Sequence, residues 1–257
     1  LHDENSTITQ YVRLEGNIVK RITVKDIREF AASWVRERYE DLEVLNLILN
    51  SPKFSPASLE SLQEIDLDFT SHTAKSQLFF FPNKTIEITR PTSPDDDGIR
   101  EYKPGSDDLH NYVWENNVIQ HEYKKGEDAF EIIRTKDDKG KDIFDIKIKN
   151  VKSHFFGYLI NTSRIYWRKE MEYAFDGNLD AMSKYHAQHP FDIEGVSLTP
   201  EEVKEQKANL INKIFTFGYM MHHFKSPERA WAPMAMDKKI GEENECNGRS
   251  GKSFFFK

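Results

Sequence analysis

The chain has 257 residues, of which 31% are charged and 38% are hydrophobic. This length suits one large domain or two smaller ones and suffices for a core without disulfides or metals. Aromatic residues make up 12%, which argues against disorder, and no apolar run approaches the roughly 18 residues of a membrane span. The net charge of −7 disfavours a surface that binds nucleic acid throughout, but it permits a local basic patch.

Cysteine usage and the first residues bear on the cellular compartment. Cys246 is the single cysteine, so it cannot form an internal disulfide, and this is typical of a reducing compartment. Residues 1–10 are polar and lack the apolar segment of a signal peptide. We therefore expect an intracellular, cytoplasmic protein that does not enter a membrane.

The N-terminal region, 1–150, is predicted to be a mixed α+β region. Three β-hairpins are predicted where turn residues separate two strand-like segments rich in apolar residues. Three helices are predicted where apolar residues recur at helical spacing, usually after a capping residue. The predicted hairpin turns are residues 15–17, 82–84 and 137–141. Of the three predicted helices, the first begins after Thr23, the second spans 42–49 and the third begins after Ser55. Residues 91–108, rich in proline, glycine and aspartate, are predicted to be a loop. Its adjacent Asp95, Asp96 and Asp97 indicate a solvated turn rather than a two-metal site.

The next region, 151–228, is predicted to be helical. Thr199-Pro200 is followed by two glutamates, which is a strong helix start. We expect this helix to reach about His223 with Phe215 and Tyr219 facing the core. Beyond it lies a third region, 229–257, in which residues 230–236 have the length and apolarity of a strand.

Residues 247–253, NGRSGKS, resemble a Walker A loop. Such a loop wraps main-chain N–H groups around nucleotide phosphates, the lysine neutralises the β- and γ-phosphates, and the hydroxyl binds Mg²⁺. The predicted nucleotide-binding residues are Gly248, Arg249, Ser250, Gly251, Lys252 and Ser253, with Lys252 as catalytic residue and Ser253 as Mg²⁺ ligand. The full pattern has glycine where this chain has Cys246. The alternative interpretation is an ordinary polar loop that contains a lysine.

A family resemblance extends beyond this motif. Segments 209–225, 229–237 and 247–253 together resemble the approach to the ATPase domain in phage and mobile-element primase–helicases. These are superfamily 3 helicases, including the poxvirus-type primase–helicases, and segment 153–170 is similar to their upstream helical part. The resemblance implies that 229–257 holds the first strand, P-loop and helix start of an AAA+-like P-loop NTPase domain.

The resemblance also implies an activity, cofactors and partners. It implies ATP- and Mg²⁺-dependent translocation on single-stranded DNA by a homo-oligomeric ring, commonly a hexamer, in a bacterial host or phage-infected cell. The Walker B strand, sensor residue and arginine finger of the family would lie beyond Lys257. We therefore expect the complete protein to be an ATP-dependent DNA helicase and this chain to be inactive by itself.

The basic segment, which we define as residues 147–169, holds six lysines and arginines and no acidic residue. Its aromatics interleave with these cations, a combination typical of single-stranded DNA binding. The predicted phosphate contacts are Arg164, Arg168 and Lys169. The alternative is that the aromatics belong to the core and the cations to a solvated helix face.

Two other functions are also compatible with the sequence. The first is a non-enzymatic DNA-binding or replisome-docking module. The second is another P-loop NTPase such as a small-molecule kinase, which the long region before the P-loop disfavours. The histidines at 186, 189, 222 and 223 supply too few clustered ligands for a zinc site.

Overall fold

A computed structural model of the chain describes residues 10–38, 42–93, 95–150, 152–228 and 230–234. These residues form an α+β protein, as predicted, and the chain divides into two compact units, Leu1–Lys124 and Lys125–Lys257. The Walker A-like residues 247–253 lie outside the described residues. The hairpin that follows Lys124 belongs to the second unit.

The part of the first unit that the structure describes combines two small sheets with helices. One sheet has the order β1-β2-β6 and the other has the order β3-β4-β5. The strands are β1 (Val12–Glu15), β2 (Ile18–Arg21), β3 (Ser76–Phe80), β4 (Thr85–Thr89), β5 (Ile99–Tyr102) and β6 (Val113–Trp114), and the helices are α1 (Val24–Arg38), α2 (Leu42–Leu49) and α3 (Pro56–Leu59). All the hairpins and helices predicted for this unit are confirmed. β6, which pairs parallel to β2, was not predicted.

The first hairpin is anchored by the two residues at its turn. Gly16 has φ +59°, and a Cβ there would lie 2.7 Å from the main-chain nitrogen of Gly105. Asn17 is buried, and its Nδ2 donates to the carbonyl oxygens of Leu109 and Asn111, both at 3.0 Å. Its Oδ1 accepts from the Gly105 N–H at 2.9 Å. Glycine and asparagine are required here because the turn lies directly against a neighbouring loop.

The helical hairpin of the first unit leaves much apolar surface exposed. On α1, Ala32 and Val35 are buried, whereas Phe30 is 59% exposed and Trp34 is 43% exposed. No residue of α2 is buried, and its Leu42 is 72% exposed. The helices form where predicted, but the face predicted to enter the core is only partly covered by the residues that the structure describes.

The prediction of a continuous loop over 91–108 is wrong, because β5 lies within it. Asp96 accepts hydrogen bonds from the main-chain N–H groups of Thr92 and Gly98, and these hold the pKa of Asp96 at about 2. Gly98, at φ +69°, then places Ile99 opposite Ile88 of β4. A four-residue edge strand is easily missed in sequence because the partner strand supplies its hydrogen bonds.

In its described residues, the second unit packs one β-hairpin with four helices. Its elements are β7 (Phe130–Lys136), β8 (Asp142–Ile148), α4 (His154–Ser163), α5 (Trp167–Ala174), α6 (Leu179–Gln188) and α7 (Pro200–Met221). The core cluster consists of Ile146, Phe156, Leu159, Ile160, Ile193 and Leu210. The predicted hairpin, α4, α5 and α7 are confirmed, while α6 was not predicted.

The helix starts of this unit follow local capping chemistry. Ser153 and Asn178 each accept a main-chain hydrogen bond at the start of α4 and α6. Thr199 and Glu202 form a complete capping box at α7, with Pro200 in the first position. These side chains satisfy N–H groups that have no partner within the helix, which is why α7 begins where predicted.

The strand predicted over 230–236 is wrong for its described part, 230–234, which has no regular secondary structure. The Trp231 N–H donates instead to the Tyr219 hydroxyl at 2.9 Å, and the Trp231 ring contacts Phe215. The segment is therefore held by aromatic packing on α7. No helix within the described ranges is long and apolar enough to cross a membrane.

Candidate nucleic-acid interface

Arg164 of the basic segment lies in the interior of the second unit and is 5% exposed. Its Nε and one terminal nitrogen donate to the Asp192 carbonyl oxygen at 3.0 and 2.6 Å, and its other terminal nitrogen donates to Asn161 Oδ1 at 2.7 Å. Desolvation lowers the pKa of Arg164, and the nearby charge of Glu170 opposes that shift. In this conformation Arg164 joins α4 to the 192–196 loop and does not present its charge to solvent.

A buried polar network surrounds this arginine. The Glu170 side chain is fully buried, and its Oε1 accepts from the Val196 N–H at 3.1 Å. His186 Nε2 lies 3.3 Å from the same oxygen. Gln206, also fully buried, accepts from the Tyr166 N–H and donates to the Ile193 carbonyl. The hydrogen bonds of Glu170 Oε1 and of Gln206 fix how these elements pack, because burying those groups without a partner would be costly.

Most other cations of the basic segment are paired with carboxylates. Lys169 lies 2.7 Å from both carboxylate oxygens of Glu202. Lys149 contacts Asp128 and Glu131, and Lys152 contacts Glu127 at 2.8 Å. The basic segment itself contains no acidic residue, but carboxylates of neighbouring elements neutralise most of its positive charge. The segment therefore does not form a strongly positive surface.

Arg168 is placed differently from Arg164 and Lys169. Its guanidinium lies over the Trp167 ring at 5.3 Å, and both side chains are exposed on the first turn of α5. Neither Arg168 nor Lys147 pairs with a carboxylate within the described ranges. Of the three predicted phosphate contacts, Arg168 is the one whose charge faces solvent next to an exposed aromatic ring, as single-stranded DNA binding requires.

A second aromatic group lies at the C-terminal end of α7. We define the α7 aromatic cluster as Phe215, Tyr219 and Trp231, whose ring centroids lie 5.9 to 6.4 Å apart. Phe215 is 56% exposed and Trp231 is 62% exposed, so the prediction that Phe215 faces the core is wrong. Leu210 and Gln206 occupy the buried face instead. Helical spacing identifies the apolar residues along one side of α7, but it does not show which of them the core covers.

Lys225 lies next to the α7 aromatic cluster and contacts Tyr219. Its Nζ lies 4.1 Å from the centroid of the Tyr219 ring and donates to the Tyr219 carbonyl oxygen at 2.6 Å and to the His222 carbonyl. These contacts cap the negative end of the helix dipole. The surrounding sequence, residues 206–227, contains no aspartate or glutamate. The end of α7 therefore combines two exposed aromatic rings with the cation of Lys225.

An open cleft of about 620 Å³ lies between β8 and the segment 188–194. It is lined by Ile133 and Phe191 together with charged groups of both signs. Lys207 in this cleft pairs with Asp145 at 3.3 Å and with Glu194 at 3.0 Å. Lys147 also lines the cleft and has no carboxylate partner within the described ranges, so the cleft holds one neutralised and one unneutralised lysine beside Asp145 and Glu194.

The structure offers no assembled metal site in the part of the chain that it describes, where no group of three or more metal-binding side chains comes together. His189 stacks on Tyr185 at 4.2 Å between ring centroids, and His186 lies beside Glu170. The predicted nucleotide and Mg²⁺ ligands Gly248, Arg249, Ser250, Gly251, Lys252 and Ser253 lie outside the described residues. Their roles remain predictions from the sequence.

Comparison with known proteins gave no assignment. No protein-family model, no curated protein and no solved structure matches this chain.

Proposed function

We propose that this chain is part of a superfamily 3-type DNA replication helicase of the primase–helicase kind, which couples ATP hydrolysis to translocation on single-stranded DNA and duplex unwinding. The observation that carries the proposal is the sequence 247–253, NGRSGKS, preceded by a capped helical region and the apolar segment from 230 onward. Glycine spacing followed by lysine and a hydroxyl residue is what phosphate and Mg²⁺ binding require.

Four residues of the motif have a specific role in this proposal. Gly248 and Gly251 let the main chain approach the phosphates, and Lys252 neutralises the β- and γ-phosphates. Ser253 supplies the hydroxyl for Mg²⁺, and the apolar residues after it begin a helix whose N-terminus faces the nucleotide. The ring assembly and the hydrolytic residues belong to parts of the family's ATPase domain that follow this motif.

The second unit would act as the DNA-facing region before the ATPase domain. Arg168 beside Trp167 offers a cation and a stacking surface together, and this supports contact with single strands. Arg164 and Lys169 would support that surface from within, through Asp192 and Glu202. The proposal thus retains the basic segment but assigns direct phosphate contact to Arg168.

Nucleotide binding tests this proposal directly. A fluorescent ATP analogue is titrated, with Mg²⁺, into the chain together with any residues encoded after Lys257. Lys252→Ala should weaken binding about 10- to 150-fold, the worth of a lost charge-assisted hydrogen bond. Lys239→Ala, which removes a lysine upstream of the motif, is the matched control and should bind as the wild type does. Equal binding by the Lys252→Ala variant would refute the Walker A assignment.

A second candidate function is a non-enzymatic DNA-binding or replisome-docking module. The exposed Trp167–Arg168 pair favours it, because that pair can bind DNA without any nucleotide site. This alternative predicts that DNA binding is independent of ATP and unaffected by Lys252→Ala in every assay. The helicase proposal predicts that nucleotide changes the affinity for DNA, since translocation requires the two sites to be coupled.

A further inference from the structure

We propose that the α7 aromatic cluster is a base-stacking platform for single-stranded DNA, with Lys225 contacting a phosphate. The choice of DNA as the ligand rests on the proposed function, whereas the site itself is read from the structure. Phe215 and Trp231 present the exposed ring surfaces, and Tyr219 lies between α7 and Trp231 as their support. None of these residues belongs to the basic segment or to the Walker A-like loop.

The geometry of the cluster suits bases better than it suits an aliphatic partner. Phe215 and Tyr219 are close to parallel, with 16° between their ring planes, so their stacked faces continue along one side of α7. The Trp231 ring is tilted by 51° to Phe215 and by 35° to Tyr219. The main-chain N–H of Trp231 donates to the Tyr219 hydroxyl, which anchors the backbone of Trp231 beside α7. The ring contacts of Trp231 with Phe215 and Tyr219 reduce the side-chain freedom that would be lost when a base stacks on it.

One cation at the cluster, Lys225, is placed to contact a phosphate backbone. Of the three lysines in residues 206–227, Lys207 is paired with Asp145 and Glu194 and Lys213 donates to Thr162, so Lys225 is the cation placed to contact a phosphate. Lys225 has three N–H donors, and two of them go to the carbonyls of Tyr219 and His222. The third would contact a phosphate oxygen in the proposed complex. An apolar protein partner would have no use for this cation, whereas single-stranded DNA uses both rings and charge.

The test compares two oligonucleotides of equal length by fluorescence anisotropy, one of thymidylate and one with abasic sugars throughout. Loss of one stacked base weakens binding about 5- to 150-fold, so Trp231→Leu and Phe215→Leu should each weaken oligothymidylate binding by that factor. Leucine retains apolar area and lacks a ring face. Both variants should bind the abasic strand as the wild type does, because only the backbone is contacted there. Trp231→Phe should retain most of the affinity for oligothymidylate.

Matched controls separate the platform from general effects. Trp34→Leu, which removes an exposed tryptophan of the first unit, should leave oligothymidylate binding unchanged. Lys225→Gln should reduce the dependence of log affinity on log salt concentration by about 0.7, the value for one phosphate contact to a single strand. Quenching of tryptophan fluorescence by oligothymidylate should diminish in Trp231→Leu and persist in Trp34→Leu.

Several results would overturn the platform. They are unchanged oligothymidylate affinity in both leucine variants, equal weakening on the abasic strand, or the same loss in Trp34→Leu. The nucleotide assay is separate, because Lys252→Ala should leave oligothymidylate binding intact when no nucleotide is present. If Lys252→Ala binds nucleotide as the wild type does while the leucine variants lose oligothymidylate affinity, the platform stands and the helicase proposal falls. The reverse would leave the helicase proposal and remove this site.

Discussion

Two arginines four positions apart should respond very differently to the same substitution. Arg164 and Arg168 both lie in the basic segment, and the sequence assigns them the same phosphate-binding role. In the structure Arg164 is buried with hydrogen bonds to Asp192 and Asn161, while Arg168 is exposed over Trp167. Methionine in place of each arginine keeps an unbranched apolar stem and removes the guanidinium. The pair of variants therefore isolates what each charge contributes.

The expected loss of unfolding free energy in Arg164→Met follows from the polar and charged groups that lose the guanidinium as a partner. The half-buried Asp192 carbonyl loses both of its guanidinium donors, and an unsatisfied acceptor costs about 1–3 kcal/mol. The fully buried Glu170 also loses a favourable neighbouring charge. Asn161 is exposed and can bond to water instead, and relief of the arginine's own desolvation offsets part of the loss. We expect the free energy of unfolding to fall by about 2–4 kcal/mol.

Urea unfolding followed by far-ultraviolet circular dichroism measures this difference. Arg168→Met should change the free energy of unfolding by less than about 0.5 kcal/mol, as is usual for surface substitutions. The same variant should weaken binding to oligothymidylate. A stability loss below about 0.5 kcal/mol for Arg164→Met, or equal losses in the two variants, would refute the structural role of Arg164.

Three further predictions concern single residues. Gly98→Ala should destabilise the protein by at least about 1–3 kcal/mol, because its φ is +69° and the new Cβ would lie 2.4 Å from the Thr89 carbonyl oxygen. Gly140→Ala, at φ +75° but with no atom within 4 Å of the Cβ, should cost less in the same urea assay. Thr199→Ala removes the capping box of α7 and should reduce the unfolding free energy by about 1 kcal/mol, whereas an unchanged value would contradict the cap. Desolvation lowers the pKa of Lys213 from 10.5 to about 8, so the unfolded chain binds this proton more tightly and stability should rise with pH above 8. Lys213→Met should show a flatter rise between pH 8 and 10, and an identical slope would exclude Lys213 as its cause.

The elements that were predicted correctly carry their signals locally. The α7 start is encoded by Thr199, Pro200 and Glu202, which are adjacent in sequence and bond to one another. The turn between β7 and β8 depends on Gly140, whose positive φ few other residues tolerate. Features of this kind need no knowledge of distant residues, and for this reason the sequence predicts them well.

The features that were missed depend on distant parts of the chain. β5 exists because Ile99 finds a partner in Ile88, and Phe215 is exposed because Leu210 and Gln206 take the buried face of α7. Arg164 is buried because Asp192, 28 residues later, offers its carbonyl oxygen. No local pattern around Arg164 distinguishes it from Arg168. The candidate DNA-contacting surface therefore had to be selected from the structure.

Strand separation by the complete protein tests the central claim most directly. A forked duplex with a labelled strand is incubated with the protein, ATP and Mg²⁺, and release of that strand is followed over time. We expect release that requires hydrolysable ATP and is abolished by Lys252→Ala, while Lys239→Ala retains it. Release that continues without ATP, or that survives Lys252→Ala, would contradict the assignment of this chain to an ATP-driven helicase.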